Sequence, residues 1–259
     1  MQPYPFRIGT TSYIIPDDIL PNARYLAGKV RDIELILFEV DDGPNNLPSP
    51  EAINELSRIA RQQDLTYTVH LPLDLKLGED GSERDQSLVK AARVIDCTLG
   101  LDPWAFVLHL DGKSVRTSTD ANLIKRWQDR SVRALEIVSE WAGGAERLAV
   151  ENLETYPLDF IQPVLDRIPV SRCVDIGHLW LDGHDPIPYL QAALPRTRVI
   201  HLHGLAERDH RSLTFMSQEK VRPVWNELIR ANYTGVLTLE MFSEEDFISS
   251  LEMIERLSP

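Results

Sequence analysis

A short apolar run that stops at a histidine or a carboxylate and gives way to a helical stretch recurs along the whole chain. This repetition restricts the fold more than any single motif. Thr68-Val69-His70, Phe106-Val107-Leu108-His109, Arg147-Leu-Ala-Val-Glu151 and Arg172-Cys173-Val174-Asp175 follow the plan. So do Val199-Ile200-His201-Leu202-His203 and Val236-Leu237-Thr238-Leu239-Glu240. An apolar strand is driven into a core, so each terminal residue is expected where that core meets something polar. A lone carboxylate there is costly unless it is paired, protonated or bound to a metal.

Two further strands precede these, Phe6 to Ser12 and Ile33 to Glu39, the second running into an acidic turn, Asp41-Asp42-Gly43-Pro44. Helices are expected from Pro16 to about Ala27, from Ser49 to about Gln63, and from Ser87, where Leu88, Ala91, Val94, Ile95 and Leu99 keep helical spacing. Others run from the Ser118-Thr-Asp cap to about Trp141, from Pro157 to about Arg167, around Tyr189 to Leu194, from Glu219 to Ala231 and from Glu244 to Leu257. Eight strand-then-helix units fill 259 residues without a linker or composition break, so residues 1–259 are expected to form one α/β domain, a parallel eight-stranded (β/α)8 TIM barrel. The alternative, an open doubly wound sheet, is disfavoured because no Gly-x-Gly-x-x-Gly or phosphate-loop pattern follows any strand.

A net charge of −13 without a basic run argues against a stable nucleic-acid partner. The N-terminus carries no basic-then-apolar signal and no apolar run is long enough for a bilayer, so a cytoplasmic protein without a membrane partner is expected. Cys97 and Cys173 make neither a disulfide framework nor a CxxC zinc motif.

In a TIM barrel the active site lies at the carboxyl ends of the strands. The seven histidines (His70, His109, His178, His184, His201, His203 and His210) all read as strand ends or the loops that follow, with none on a helix. Glu39, Glu151, Asp175 and Glu240 end strands as carboxylates. Imidazole with carboxylate is the ligand set of zinc, manganese, iron or cobalt. His201 and His203 share a strand face, and the sequence does not choose between them. In Asp175-Ile-Gly-His178 the aspartate ends the strand and the histidine reaches back. His184 reads as an ordinary loop residue.

With His70-Leu-Pro72, His109, Glu151-Asn152, Asp175-Ile-Gly-His178, the His201/His203 strand and Glu240 in place, the chain resembles the xylose-isomerase-like barrel superfamily, which includes endonuclease IV and sugar epimerases. The epimerase pattern implies one divalent metal held by Glu151, Asp175, His201 or His203, and Glu240. The endonuclease IV pattern implies up to three ions, adding His70, His109, His178 and Asp209 or His210; it has Asp-x-His where this chain has adjacent Asp209-His210. The phrases Gly9-Thr-Thr-Ser-Tyr-Ile-Ile-Pro16, Glu34-Leu-Ile-Leu-Phe-Glu39 and Tyr67-Thr-Val-His-Leu-Pro-Leu-Asp74 resemble the N-terminal half of the cobamide-remodelling hydrolases called CbiR. That resemblance implies cleavage of a phosphoester in the nucleotide loop of a cobamide, a small-molecule substrate, by one to three zinc or manganese ions.

On this reading Glu151 or Glu240 bridges two ions, and a bridging carboxylate or Glu39 orients the attacking water. Arg208 or Arg211 holds phosphate, while Ser12, Tyr13, Trp104 and Trp180 line an apolar surface. The rival expectations are a one-metal sugar isomerase or epimerase using Glu151 and Glu240 as acid and base, and a non-catalytic corrinoid- or metabolite-binding barrel.

Overall fold

The apolar runs form the strands their composition demands. In a computed structural model describing residues 4–39 and 45–257, β1 (Arg7–Thr11), β2 (Asp32–Ile36), β3 (Thr66–His70) and β4 (Phe106–Leu108) are followed by β5 (Leu148–Glu151), β6 (Ser171–Asp175), β7 (Thr197–Leu202) and β8 (Val236–Leu239). Each pairs in parallel with the next, and β8 closes on β1 through the register Arg7–Val236 to Thr10–Leu239. The expected (β/α)8 barrel is the fold.

Helices α1 (Ile19–Leu26), α2 (Pro50–Gln63), α3 (Gln86–Thr98), α4 (Ala121–Ala142) and α5 (Gln162–Leu165) wrap the first half. The second half carries α6 (Ile176–Leu181), α7 (Pro186–Ala193), α8 (Gln218–Arg230) and α9 (Glu244–Leu257). Ser49, Asp85, Asp120 and Asp185 cap α2, α3, α4 and α7, their side chains accepting N–H bonds from the first turns. Each such cap contributes about 1 kcal/mol. No helix among the described residues is long and apolar enough to cross a membrane.

Alternation along each strand sorts the side chains. Ile33, Leu35, Tyr67, Val69, Phe106, Leu108, Val150, Val174, Ile200 and Leu237 point outward into the core shared with the helices. Inside the barrel a smaller cluster of Ala105, Val107, Ala149, Cys173 and Val199 fills the lower β4–β7 half. The other half is polar: Thr66 Oγ1 donates to Asp32 Oδ2 at 2.6 Å, and Thr238 donates to Glu34. Burial pushes the Asp32 carboxyl up to about 7.

Three of the departures from the expected boundaries have a visible cause. β2 stops at Ile36 rather than Glu39, because the Asn46 amide takes the Ile36 carbonyl and the Phe38 N–H. α1 starts at Ile19 rather than Pro16, since Asn22 Oδ1 ties down the N–H groups of Ile14 and Ile15 in a loop. The helix expected over residues 157–167 shrinks to α5, where Tyr156 and Phe160 pack as an aromatic pair against Gly112. The acidic turn Asp41-Asp42-Gly43-Pro44 lies outside the described residues.

Candidate metal centre

The carboxyl end of the barrel gathers donors from six strands and the segments just after them. Glu151 is the hub. Its Oε2 lies 3.1 Å from His109 Nε2 and 3.6 Å from His70 Nε2. Its Oε1 lies 3.4 Å from His201 Nδ1. His201 Nδ1 is also 3.1 Å from Glu240 Oε2 and 3.8 Å from Asp175 Oδ2. Three ligand groups share Glu151, namely His70–His109–Glu151, Glu151–Asp175–His201–Glu240 and Glu151–Cys173–His201, and Glu34–His70–Glu240 forms another beside them. A tetrahedral zinc with bonds of about 2.0–2.1 Å sets its ligand atoms about 3.4 Å apart, the spacing seen here. A separate group, His178–His203–His210, adjoins them.

The outer edges of the rings are already fixed. His70 Nδ1 meets the Leu71 carbonyl at 2.9 Å, His109 Nδ1 meets Asp74 at 3.2 Å, and His178 Nδ1 meets the Asn152 carbonyl at 3.0 Å. An outer acceptor takes the ring N–H and leaves the other nitrogen's lone pair facing the cluster, the arrangement usual for metal-binding histidines. Buried atoms without a hydrogen-bond partner concentrate at this centre: Glu34 Oε1, Asp175 Oδ2, His201 Nδ1, His203 Nε2 and Glu240 Oε2. Orphaned donors and acceptors at such depth are costly, and cations shared among them satisfy the set. The residues fit divalent metal.

Electrostatics agree. Burial opposes ionisation of Glu151, yet His201 and then His109 hold its carboxyl well below the usual range. Glu240 behaves alike, depressed by His201 and His210 against its burial. Burial also opposes a charge on His109, but Glu151 and Asp74 lift it to about 10. His210 is lifted to about 9 against burial, chiefly by Glu240. Without metal, protons on histidine supply the positive charge the carboxylates need.

His201, not His203, meets the four-residue group. His203 Nδ1 accepts the His210 N–H at 3.0 Å, which leaves the proton of a neutral ring on Nε2, 3.4 Å from Asp175 Oδ1. His178 corrects the expectation that no histidine is helical: Asp175 ends β6, caps α6 and accepts the His178 N–H at 2.7 Å, carrying His178 on the helix's first turn. Between them, Gly177 has no room for a side chain; a Cβ would lie 2.1 Å from the His203 ring. Gly177→Ala is expected to cost about 1–3 kcal/mol and to push His203 away from His178 and His210. A thermal melt and the metal content of the variant check it.

Several expected site residues sit elsewhere. Glu39 forms ion pairs with Lys90 and Arg93 of α3, because β2 ends before reaching it. Glu39→Gln is expected to lower stability by roughly 3 kcal/mol, as breaking a buried pair does, with metal content and turnover unchanged. Ser12 Oγ is consumed by the Ile36 N–H, and the Tyr13 hydroxyl by Asn46, although the Tyr13 ring packs on Phe38 at the cleft. Arg211 pairs with Asp246 and lies over Phe215, facing α9 rather than the centre, and Arg208 is exposed outside the cleft lining. Trp104 lies at the opposite end of the barrel, its Nε1 bound to the Arg198 carbonyl, and Trp180 is core. Asp209 lines the cleft but contacts His210 Nδ1 (3.1 Å) and joins none of the ligand groups. His184 is an exposed loop residue.

The cleft over the centre measures about 480 Å³. Its rim carries the exposed apolar side chains Phe38, Leu73 and Phe242, and two cations the sequence reading passed over, Lys113 and Arg116. Lys113 Nζ reaches Asp74 at 3.1 Å, and Asp74 leads directly to His109. Arg116 donates to Thr155 Oγ1 and lies over the Tyr156 ring. Thr155 holds φ +65, a conformation costly for a β-branched residue, with its N–H on Asp182 at 2.7 Å. Glu34 was also passed over, its carboxylate in the middle of β2 rather than at an end.

The model of the xylose isomerase-like TIM barrel family matches residues 29–257. The chain belongs to that family. No curated protein matches this xylose isomerase-like barrel by sequence. Among solved structures it is similar to a D-tagatose 3-epimerase-like protein, at 17% identity and TM-score 0.74, covering 97% of each chain. It is similar to endonuclease IV from Thermus thermophilus at 18% identity and TM-score 0.71, covering 97% of this chain and 98% of that one. A third likeness is to 3-keto-D-glucoside 4-epimerase from E. coli, at 15% identity and TM-score 0.66, with the same coverage. At these identities the likeness establishes the fold.

Proposed function

We propose that this xylose isomerase-like barrel is a metal-dependent phosphoester hydrolase acting on a small molecule, with the nucleotide loop of a cobamide as its substrate. One observation carries the reading: the ligand groups offer more donors than a single ion can use, and three of them share Glu151. Paired ions bridged by a carboxylate suit displacement at phosphorus, where attacking and leaving oxygens both need charge compensation. Bound zinc or manganese would supply that compensation and a water acidified towards neutrality.

The chain's own residues do the rest. His70, His109 and Glu151 would hold one ion; Glu151, Asp175, His201 and Glu240 the second. His178 and His210 would offer a further, less complete place beside them. Asp74 keeps the His109 ring turned towards Glu151. Lys113 and Arg116 would receive the substrate's anionic group, the part first assigned to Arg208 and Arg211, and the strained Thr155 would hold Arg116 in place. Phe38, Leu73 and Phe242 would meet an apolar body such as a corrin face.

The second reading is a one-metal sugar epimerase, favoured by the epimerases among the structural neighbours. There Glu151 and Glu240 would bind the ion and move the proton. The test is incubation of the zinc- or manganese-loaded protein with adenosylcobalamin, followed by chromatography. Release of a cobinamide species and a riboside is expected. An untouched cobamide, with turnover of a ketohexose instead, gives the epimerase reading; binding without turnover of either gives a non-catalytic barrel.

A further inference from the structure

We infer that Glu34 is a positioning residue that fixes the His201 ring, keeping its Nε2–H turned away so that Nδ1 offers a lone pair to the space between Glu151, Asp175 and Glu240. The inference rests on the metal reading above. Glu34 Oε2 lies 3.0 Å from His201 Nε2, and the Thr238 hydroxyl donates to the same oxygen at 3.3 Å. The strand register builds this contact: Glu34 lies level with Thr11 and Thr68, and His201 level with Thr238. Glu34 and His201 are both fully buried.

Burying a carboxylate in a barrel interior costs several kcal/mol unless its charge is used. Glutamine would fill the same volume without that cost. Among the described residues, the ion-pair partner of Glu34 is His201, and a Glu34 carboxylate oxygen also lies near donor atoms of His70 and Glu240.

His201 is also the exception among the centre's rings. His70, His109 and His178 turn Nδ1 outward to an oxygen, whereas His201 turns Nε2 outward. Its Nδ1 is the nitrogen among the carboxylates. A ring with the opposite tautomer would donate a hydrogen from Nδ1 to Glu151 or Glu240, and an internal hydrogen bond would then occupy the place of an ion. An acceptor at Nε2 prevents this, and a charged one also raises the basicity of Nδ1.

The test compares wild type, Glu34→Gln and Glu34→Leu by zinc affinity from chelator competition, by the melting temperature of the metal-free protein, and by 15N NMR of the histidine rings. Expected for Glu34→Leu is a loss of about 10–100-fold in zinc affinity, with Glu34→Gln between it and wild type. The metal-free melting temperatures should fall in both variants, as breaking a buried pair does, so the histidine-ring spectra are the readout that a merely structural role would not move. In the zinc-loaded wild type, His201 should carry metal on Nδ1 and hydrogen on Nε2. Zinc affinity of Glu34→Leu equal to wild type, or metal on His201 Nε2, overturns the inference alone. A wild type that binds no zinc overturns the metal reading and this inference with it.

Discussion

Glu151→Gln should empty at once the ligand groups that share it and lower turnover by roughly 10³-fold or more, the scale of losing several kcal/mol of transition-state charge stabilisation. The size of the effect follows from the hub geometry. One carboxylate oxygen faces His70 and His109, while the other faces His201 and His178. An amide offers a single weak acceptor oxygen and turns an NH₂ to the other side, so it cannot bridge. Folding should survive, because packing volume is kept and the roughly 3 kcal/mol lost with a buried pair is smaller than the stability of a typical domain. Elemental analysis and turnover of the purified variant, beside its circular dichroism, check this. Near-normal metal content in a folded variant would show that Glu151 is no bridge.

Chelation should produce the second large effect. An ion present at about a thousand times its dissociation constant stabilises by about 4 kcal/mol. For a chain of this size that corresponds to a drop of roughly 8–16 °C in melting temperature when the ion is stripped.

The pH dependence should reverse between the two forms. His210 and His109 titrate at about 9 and about 10 in the metal-free protein, against about 6.5 when unfolded. Their protonated forms therefore contribute stability that is complete below about pH 6.5 and is lost as pH rises through about 9 to 10. Metal competes for the same nitrogens, so the stabilisation it confers grows as pH rises. Melting curves with and without chelator from about pH 6 to about pH 10 read both slopes. Parallel slopes would mean that the histidines do not exchange protons for metal.

The barrel was legible because its signal is additive: each apolar run is weak alone, yet eight in strict alternation leave few topologies. The donors at strand ends were legible for the same reason, since a strand's carboxyl end in this fold leads to one rim. Glu34 was hidden because its signal is one acidic residue inside β2, and whether it faces the barrel interior depends on register. The strand ends at Ile36, so Glu39 falls beyond the ladder and over α3. Asn46 sets that boundary through side-chain bonds across a loop, which no periodicity encodes.

Loop cations were equally opaque. Arg211 and Arg116 are both arginines in loops after strands; the first meets Asp246 on α9, the second meets Thr155 beside the cleft. Those partners are distant in sequence and chosen by packing. His178 was placed correctly at the rim but on the wrong backbone, because Asp175 both ends a strand and caps the helix that begins one residue later.

Metal stoichiometry bears most directly on the account. The chain should be loaded with zinc or manganese, freed of excess ion by gel filtration, and analysed for metal per polypeptide. Two or more ions per chain is the expected result; one ion or none would contradict a bridged centre at Glu151.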